Sequence, residues 1–367
     1  MSVWADATTP TATTTPTPAL PPMSVMATQT LGKGLVYQKI RVALPNVPVQ
    51  YAYVLRWNPT ASEFRLMPIL PTNQLRGLRP VRTTLQQVNA VAGINASFFN
   101  TTLGYPLGLV IQDGELLSGS LFNRVALGVP NGKGLPRFER VDIQGNLRFA
   151  EDSQIQIDTF NQPRVDSSHV VLYTRLWGTQ SPPANSETYA LRFSEGVLNA
   201  VSADGPLPIG TEDWVVFGPK DKLKAGLNPL LNGLPVELSI RSTPDWTSMG
   251  QAVGGGPYLL KDGSEFIDGP AQRFGNLPKL ERTSRTAIGL TPQKELVLVV
   301  TDKRPGTTLP QMAVILKELG CNEAMNLDGG SSSQMVVQGN VVSAAIPGGG
   351  GVSTALGFVK VAPVPQP

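Results

Sequence analysis

Punctuation is the strongest constraint on this chain. It carries 37 glycines and 33 prolines among 367 residues. Proline lacks a backbone N–H and glycine loses the most backbone entropy on ordering, so few stretches can hold a long helix. Hydrophobic residues make up 41%, enough for one large domain or two smaller ones. Charged residues reach only 16%. Such a chain belongs to the α+β class: a strand-rich, mixed-sheet domain with few helices.

Several functions are excluded early. The net charge is +3, with no basic run and no stacked-aromatic motif, so no nucleic-acid partner is expected. Cys321 is the one cysteine, and no intrachain disulfide can form. His169 is the one histidine. A zinc site built on several His or Cys ligands is therefore ruled out within one chain, and a Ser-His-Asp triad would have to use His169. It heads the strand-like run Val170-Val171-Leu172-Tyr173 and reads as a strand-edge residue with no catalytic role. No metal and no cofactor are expected. No apolar stretch reaches transmembrane length, and the first residues lack the basic start and apolar core of a signal peptide. Residues 5–22 are almost pure Ala, Thr and Pro, a linker composition found downstream of signal peptides and membrane anchors. The expected location is extracytoplasmic, periplasmic or secreted.

Along the chain, residues 1–31 read as a disordered tail, 32–84 as a β-hairpin region packed on the main domain, and 85–363 as that domain. Residues 35–44 and 49–57 read as neighbouring strands. Val81, Leu85 and Val88 fall at helical spacing. Residues 109–112, Asp113-Gly114 and 115–117 read as a tight hairpin. The middle, about 120–250, reads as short strands, clearest at 170–173, 215–217 and 236–240.

The last hundred residues have the best local grammar. Residues 286–290 and 295–301 read as strands. Thr308 sits three residues before Gln311, which is capping-box spacing, with Pro310 in the first turn. Met312, Ile315, Leu316 and Leu319 then form one apolar stripe, and Gly320 ends the helix. Residues 324–327 read as a strand running into Asp328-Gly329-Gly330. A strand–helix–strand unit thus delivers Asp328 to a strand end, where α/β sheets tend to place chemistry.

Four segments carry a resemblance: residues 93–99 (Gly-Ile-Asn-Ala-Ser-Phe-Phe), 254–263 (Gly-Gly-Gly-Pro-Tyr-Leu-Leu-Lys-Asp-Gly), 284–289 (Ser-Arg-Thr-Ala-Ile-Gly) and 326–332 (Asn-Leu-Asp-Gly-Gly-Ser-Ser). In this order and spacing they resemble the phosphodiester glycosidase domain family, over roughly residues 85–360. The resemblance implies hydrolysis between a sugar anomeric carbon and a phosphodiester phosphate. Its substrate would be a sugar–phosphate diester or a polysaccharide, as in the family's exopolysaccharide-related bacterial branch. Two departures stand out. Ser331 replaces the third glycine after Asp328, and residues 347–354 lack the arginine that often precedes the family's final strand.

Breaking such a bond builds positive charge on the sugar ring, while the phosphate leaves as a stable anion. The chemistry needs a carboxylate near the anomeric carbon and cationic or N–H donors on the phosphate. The resemblance makes Asp328 the first carboxylate; the bare sequence allows equally that it caps a turn. Asp302, at the next strand end, is the second carboxylate or a surface turn. Arg285 offers a planar fork for phosphate or a structural salt bridge, and Arg282 assists or pairs on the surface. Lys303 and Arg304 read as solvated turn charges. Asn95 bonds a sugar hydroxyl or ties a loop. Gly255 and Gly256, with Gly254, present N–H groups to an anion or mark a chain crossing. Gly329, Gly330 and Ser332 complete the phosphate-side set, Asn161 and Arg164 match a weaker central motif, and residues 348–351 read as a mobile loop. Asp328, Asp302, Arg285 and Asn95 are expected to converge on one cleft. The alternatives are an inactive carbohydrate-binding domain of the same fold, or a hydrolase of other glycosides using the Asp328–Asp302 pair.

Overall fold

The run Leu296–Thr301 organises the molecule. All six of its residues are buried, as expected of a strand covered on both faces. Leu296, Leu298 and Val300 point to one core, with Ile94, Met335, Leu356 and Phe358. Val297 and Val299 point to another, with Leu309, Met312, Ile315 and Leu316. The computed structural model describes residues 22–361 apart from 45–46, 132–133, 151–152, 232 and 276–279.

That strand lies inside an eight-stranded antiparallel sheet. Its order is Met23–Gly32, Leu35–Val42, Gln50–Trp57, Leu296–Thr301, Thr286–Leu290, Glu323–Asn326, Tyr258–Lys261 and Ser264–Glu265. The helix Leu309–Glu318 covers one face. Thr308 caps it as the sequence predicts: its side chain accepts from the Gln311 N–H while the Gln311 side chain accepts from the Thr308 N–H. Gly320 follows at φ 90°. The other face packs on a five-stranded antiparallel sheet ordered Asn340–Ala344, Gln334–Val337, Ala92–Asn95, Ala355–Lys360 and Phe64–Ile69. Helix, large sheet and second sheet form three layers.

A second core lies between residues 109 and 252 and includes Ile143, Leu147, Phe160, Leu172, Phe193 and Trp246. Two five-stranded sheets and a three-stranded one surround it. The hairpin Val110–Gln112 and Glu115–Ser118 turns at Asp113 (φ 52°) and Gly114 (φ 84°), the geometry Asp-Gly favours. Strand takes 47% of the chain and helix 9%, so the α+β, few-helix class holds.

Three expectations change. The tail expected over residues 1–31 falls partly on 1–21, outside the described residues, but Met23–Gly32 is an edge strand paired with Leu35–Val42. Residues 32–84 are not packed on a separate body. Gln50–Trp57 hydrogen-bonds to Leu296–Thr301 and Phe64–Ile69 to Ala355–Lys360, so both sheets are completed by the N-terminal strands. The middle is not strands alone: Lys220–Leu231 is a helix that buries Leu223 and Leu230 in the second core.

Candidate active site

Strand order places the site. Thr286–Leu290 is antiparallel to both Leu296–Thr301 and Glu323–Asn326. The two outer strands are therefore parallel, and their C-terminal ends reach the same sheet edge. Asp302 follows one, Asp328 the other, and Arg285 starts the strand between them. Two strand spacings separate the acids, about 10 Å between strand axes.

Asp328 sits where the chain passes from the large sheet to the second one. The Leu327 N–H still donates to the Thr286 carbonyl (2.9 Å), whereas the Asp328 N–H donates to the Ala96 carbonyl (3.0 Å) beyond Ala92–Asn95. Gly330, at φ 60°, lets the loop fold back so that its N–H reaches the Ser284 carbonyl (2.9 Å). The half-buried Asp328 carboxylate accepts from the Gly329 N–H (2.9 Å) and from the Ser332 hydroxyl. Loss of hydration outweighs those two donors, and the carboxyl is pushed up to about 6.

Asn95 does not face a ligand. It is 0% exposed. Its Nδ2 donates to the Asp328 carbonyl (2.7 Å), and its Oδ1 accepts from the Thr286 hydroxyl (2.8 Å) and the Gln334 N–H (3.1 Å). A sugar has no access to it; the amide ties three strand ends together under the Asp328 loop. Arg285 is 6% exposed and donates from Nε to the Thr307 carbonyl (3.1 Å) and from Nη2 to the Glu281 carbonyl (2.8 Å). It holds two loops beside Asp328, with burial lowering its pKa. Exposed Arg282 reaches the Gly306 carbonyl (3.2 Å).

The glycine triplet is not an anion nest. The N–H groups of Gly254, Gly255 and Gly256 donate to the carbonyls of Leu109, Val125 and Asn326. A Cβ on Gly255 would stand 2.7 Å from the Asn326 carbonyl oxygen, and one on Gly256 2.7 Å from the Phe274 ring. These glycines permit a close chain crossing. Asn161, 1% exposed, binds the Leu117 carbonyl and Thr174. Arg164 donates to the Ser167 carbonyl.

Asp302 has other company. Tyr53 and Ser343 donate to its two oxygens, each at 3.4 Å, and Lys39 lies nearby. Burial raises its pKa and these neighbours oppose the rise. None of the groups acting on Asp302 acts on Asp328. Asp302, Asp328 and Arg285 share one end of the large sheet, and Asn95 ends a strand of the second sheet beneath the Asp328 loop.

Two further features escaped the sequence reading. The hydroxyls of Ser97, Ser333, Ser353 and Thr354 are buried without a hydrogen-bond partner. Ser97 follows the Ala96 that holds Asp328, and the Ala96 N–H donates to the Thr354 carbonyl (3.0 Å). Buried hydroxyls are normally satisfied, so this group marks where water or a ligand completes the set. The second feature is a cation on an aromatic shelf. The Arg124 guanidinium stands 3.8 Å from the Phe274 ring centroid, and Phe274 packs at 5.4 Å from Phe98. Arg124 donates to the carbonyls of Gln272 and Arg273 and has no ion pair among the described residues. Burial lowers it to about 10.

Residues 210–359 match the phosphodiester glycosidase family model. That span holds Arg285, Asp302 and Asp328 but not Asn95. Among solved structures, a hypothetical protein from Synechocystis superposes with TM-score 0.82 at 24% identity, over 89% of this chain and 62% of that one. This chain thus spans less than two thirds of that protein's length. A Burkholderia pseudomallei protein, provisionally designated as exported, gives 0.77 at 20% identity, over 93% and 97%. The zebrafish N-acetylglucosamine-1-phosphodiester alpha-N-acetylglucosaminidase catalytic domain, auto-inhibited by its pro-peptide, gives 0.51 at 14%, over 94% and 89%. These likenesses establish the fold. No curated protein matches the sequence. Among the described residues, no helix is long and apolar enough to cross a membrane.

Proposed function

We propose that the chain hydrolyses a sugar 1-phosphate diester of envelope or extracellular glycans, with Asp328 as the carboxylate at the anomeric carbon. The observation that carries this is the Asp328 loop. Here a half-buried carboxylate is raised to about 6 at a strand end, backed by four hydroxyls without partners. With its pKa near 6 the group is mostly ionised at neutral pH, and partial burial strengthens its action on a developing oxocarbenium charge. The phosphate leaves as an anion and needs little proton donation. Arg124 rather than Arg285 is the cation for it, since Arg285 is 6% exposed whereas Arg124 is only partly buried. No step in this scheme calls on a metal. The family match over residues 210–359 and the fold shared with the zebrafish glycosidase support the reaction class. The neighbour designated as exported supports an extracytoplasmic location.

The internal commitments of Asn95, Arg285 and the glycine triplet favour one second reading, a glycan-binding domain without turnover. The methyl diester of N-acetylglucosamine 1-phosphate, and diesters of other sugars, separate the two. Free sugar released by the wild type and unaffected by chelator is expected. Asp328→Asn should lose about a thousandfold or more, roughly 4 kcal/mol of barrier. Glycan binding with no release from any diester would establish the second reading.

A further inference from the structure

A cleft of about 450 Å³ opens away from the Asp328 loop, within the size range of small-ligand sites. It lies between the end of Val171–Thr174 and the hairpin strand Glu115–Ser118. Arg175, Asn73, Gln74, Thr211, Glu115 and Leu176 form much of its wall. Arg175 makes no hydrogen bond, ion pair or ring contact among the described residues, and its Nη1 is shielded from water with nothing to donate to. Half-buried arginines elsewhere on this molecule have partners: Arg56 binds Glu295 and the Leu319 carbonyl, and Arg140 lies by Asp268. A partly desolvated guanidinium with no counter-charge is unfavourable unless an anion arrives.

The backbone carrying Arg175 is held firmly. The Leu75 N–H donates to the Leu176 carbonyl (2.9 Å), and the Trp177 N–H donates to the Thr174 carbonyl (3.0 Å). Trp177 packs against Tyr105 and Tyr173, with centroids 4.9 and 4.8 Å apart. The wall is therefore preformed, which lowers the entropy lost on binding.

The lining selects the ligand. A guanidinium fork suits a carboxylate or a phosphate. The Asn73 and Gln74 amides and the Thr211 hydroxyl suit sugar hydroxyls, and Leu176 suits the apolar face of a ring. Exposed Glu115 accepts from hydroxyls and repels a second negative charge. We infer that this cleft binds an acidic saccharide unit, its single anionic group at Arg175. The site is independent of whether Asp328 catalyses.

Calorimetric titration of the full chain tests this. The probes are trigalacturonate, glucose 6-phosphate and uncharged galactotriose. One-site binding of at least one acidic probe is expected, weakening as salt rises, with galactotriose about tenfold weaker or worse. The acidic probe that binds identifies the source as carboxylate or phosphate. Arg175→Gln should lose about tenfold or more, Arg175→Lys less, and Asp328→Asn nothing. Thermal melts check folding of each variant. Should Arg175→Gln fail to fold, Glu115→Gln on the exposed rim gives an independent reading, since removing the like charge should tighten binding about twofold or more. Failure of both acidic probes to bind would overturn the inference. So would equal binding of galactotriose, a folded Arg175→Gln that binds as the wild type does, or no tightening by Glu115→Gln.

Discussion

Asp302 and Asp328 end parallel strands on one sheet edge, flanking the same central strand, yet the molecule treats them differently. Asp302 is enclosed by Tyr53, Ser343 and Lys39, groups that answer its charge from settled positions on the large and second sheets. Asp328 has only its own loop for donors among the described residues, Gly329 and Ser332. A strand end followed by a turn is thus not enough to mark a reactive carboxylate. What separates the two is the origin of their donors: side chains from two sheets for Asp302, the residue's own loop for Asp328. The proposed function therefore gives the reaction to Asp328 and treats Asp302 as finished structure.

The largest effect that sharpens this contrast belongs to Asn95. Its amide fixes the Asp328 carbonyl, the Thr286 hydroxyl and the Gln334 N–H at once. Asn95→Ala strands all three in a dry interior and should lower stability by about 3 kcal/mol, read from urea denaturation. Tyr53→Phe, beside Asp302, removes one 3.4 Å hydrogen bond and should lose less than about 1 kcal/mol. Equal losses would mean that the two strand ends are anchored alike.

A middle-sized effect depends on pH. The folded-state pKa of Asp328 is raised to about 6 from 3.8. The protonated folded form is favoured, so this stabilising contribution is fully present below about pH 4 and is lost as pH rises through about 6. Asp328→Asn removes the titration. The variant should match the wild type near pH 4 and exceed it near pH 7.5 by on the order of 1–2 kcal/mol, allowing for partial solvent screening. A stability difference that does not change across that window would place the carboxylate in water.

Local chemistry was legible in the sequence where its partners lie close along the chain. Thr308 and Gln311 cap their helix from three residues apart, and Met312, Ile315 and Leu316 bury as their spacing dictates. The delivery of Asp328 to a strand end follows from the same short-range grammar. The helix Lys220–Leu231 hid behind its own composition, with Pro229 in its last turn breaking an otherwise regular Leu223, Leu227, Leu230 stripe. Asn95 was legible as a sugar contact or a loop tie, but not as the anchor of a residue 233 positions away. The same distance problem concealed the Thr307 carbonyl that Arg285 meets and the carbonyls that take up the Gly254, Gly255 and Gly256 N–H groups. Orphaned hydroxyls are harder still, because only packing shows that Ser97, Ser333, Ser353 and Thr354 lack partners.

The smallest effect is the most discriminating for the carboxylate pair. If Asp302 is finished structure, Asp302→Asn should leave turnover of the sugar 1-phosphate diester within about threefold of wild type, a change of less than 1 kcal/mol in barrier. Tyr53 and Ser343 meet different oxygens. The amide keeps one acceptor, and the hydroxyl facing its NH2 can turn to accept from it, so stability should move by less than about 1 kcal/mol as well. The measurement also bears on reaction type. A glycosidase working through two opposed carboxylates loses most of its rate with either one, whereas departure of a stable phosphate anion asks for a single carboxylate. A hundredfold loss at Asp302, with the fold intact by thermal melt, would return both acids to the reaction and make the sheet edge itself the catalytic frame.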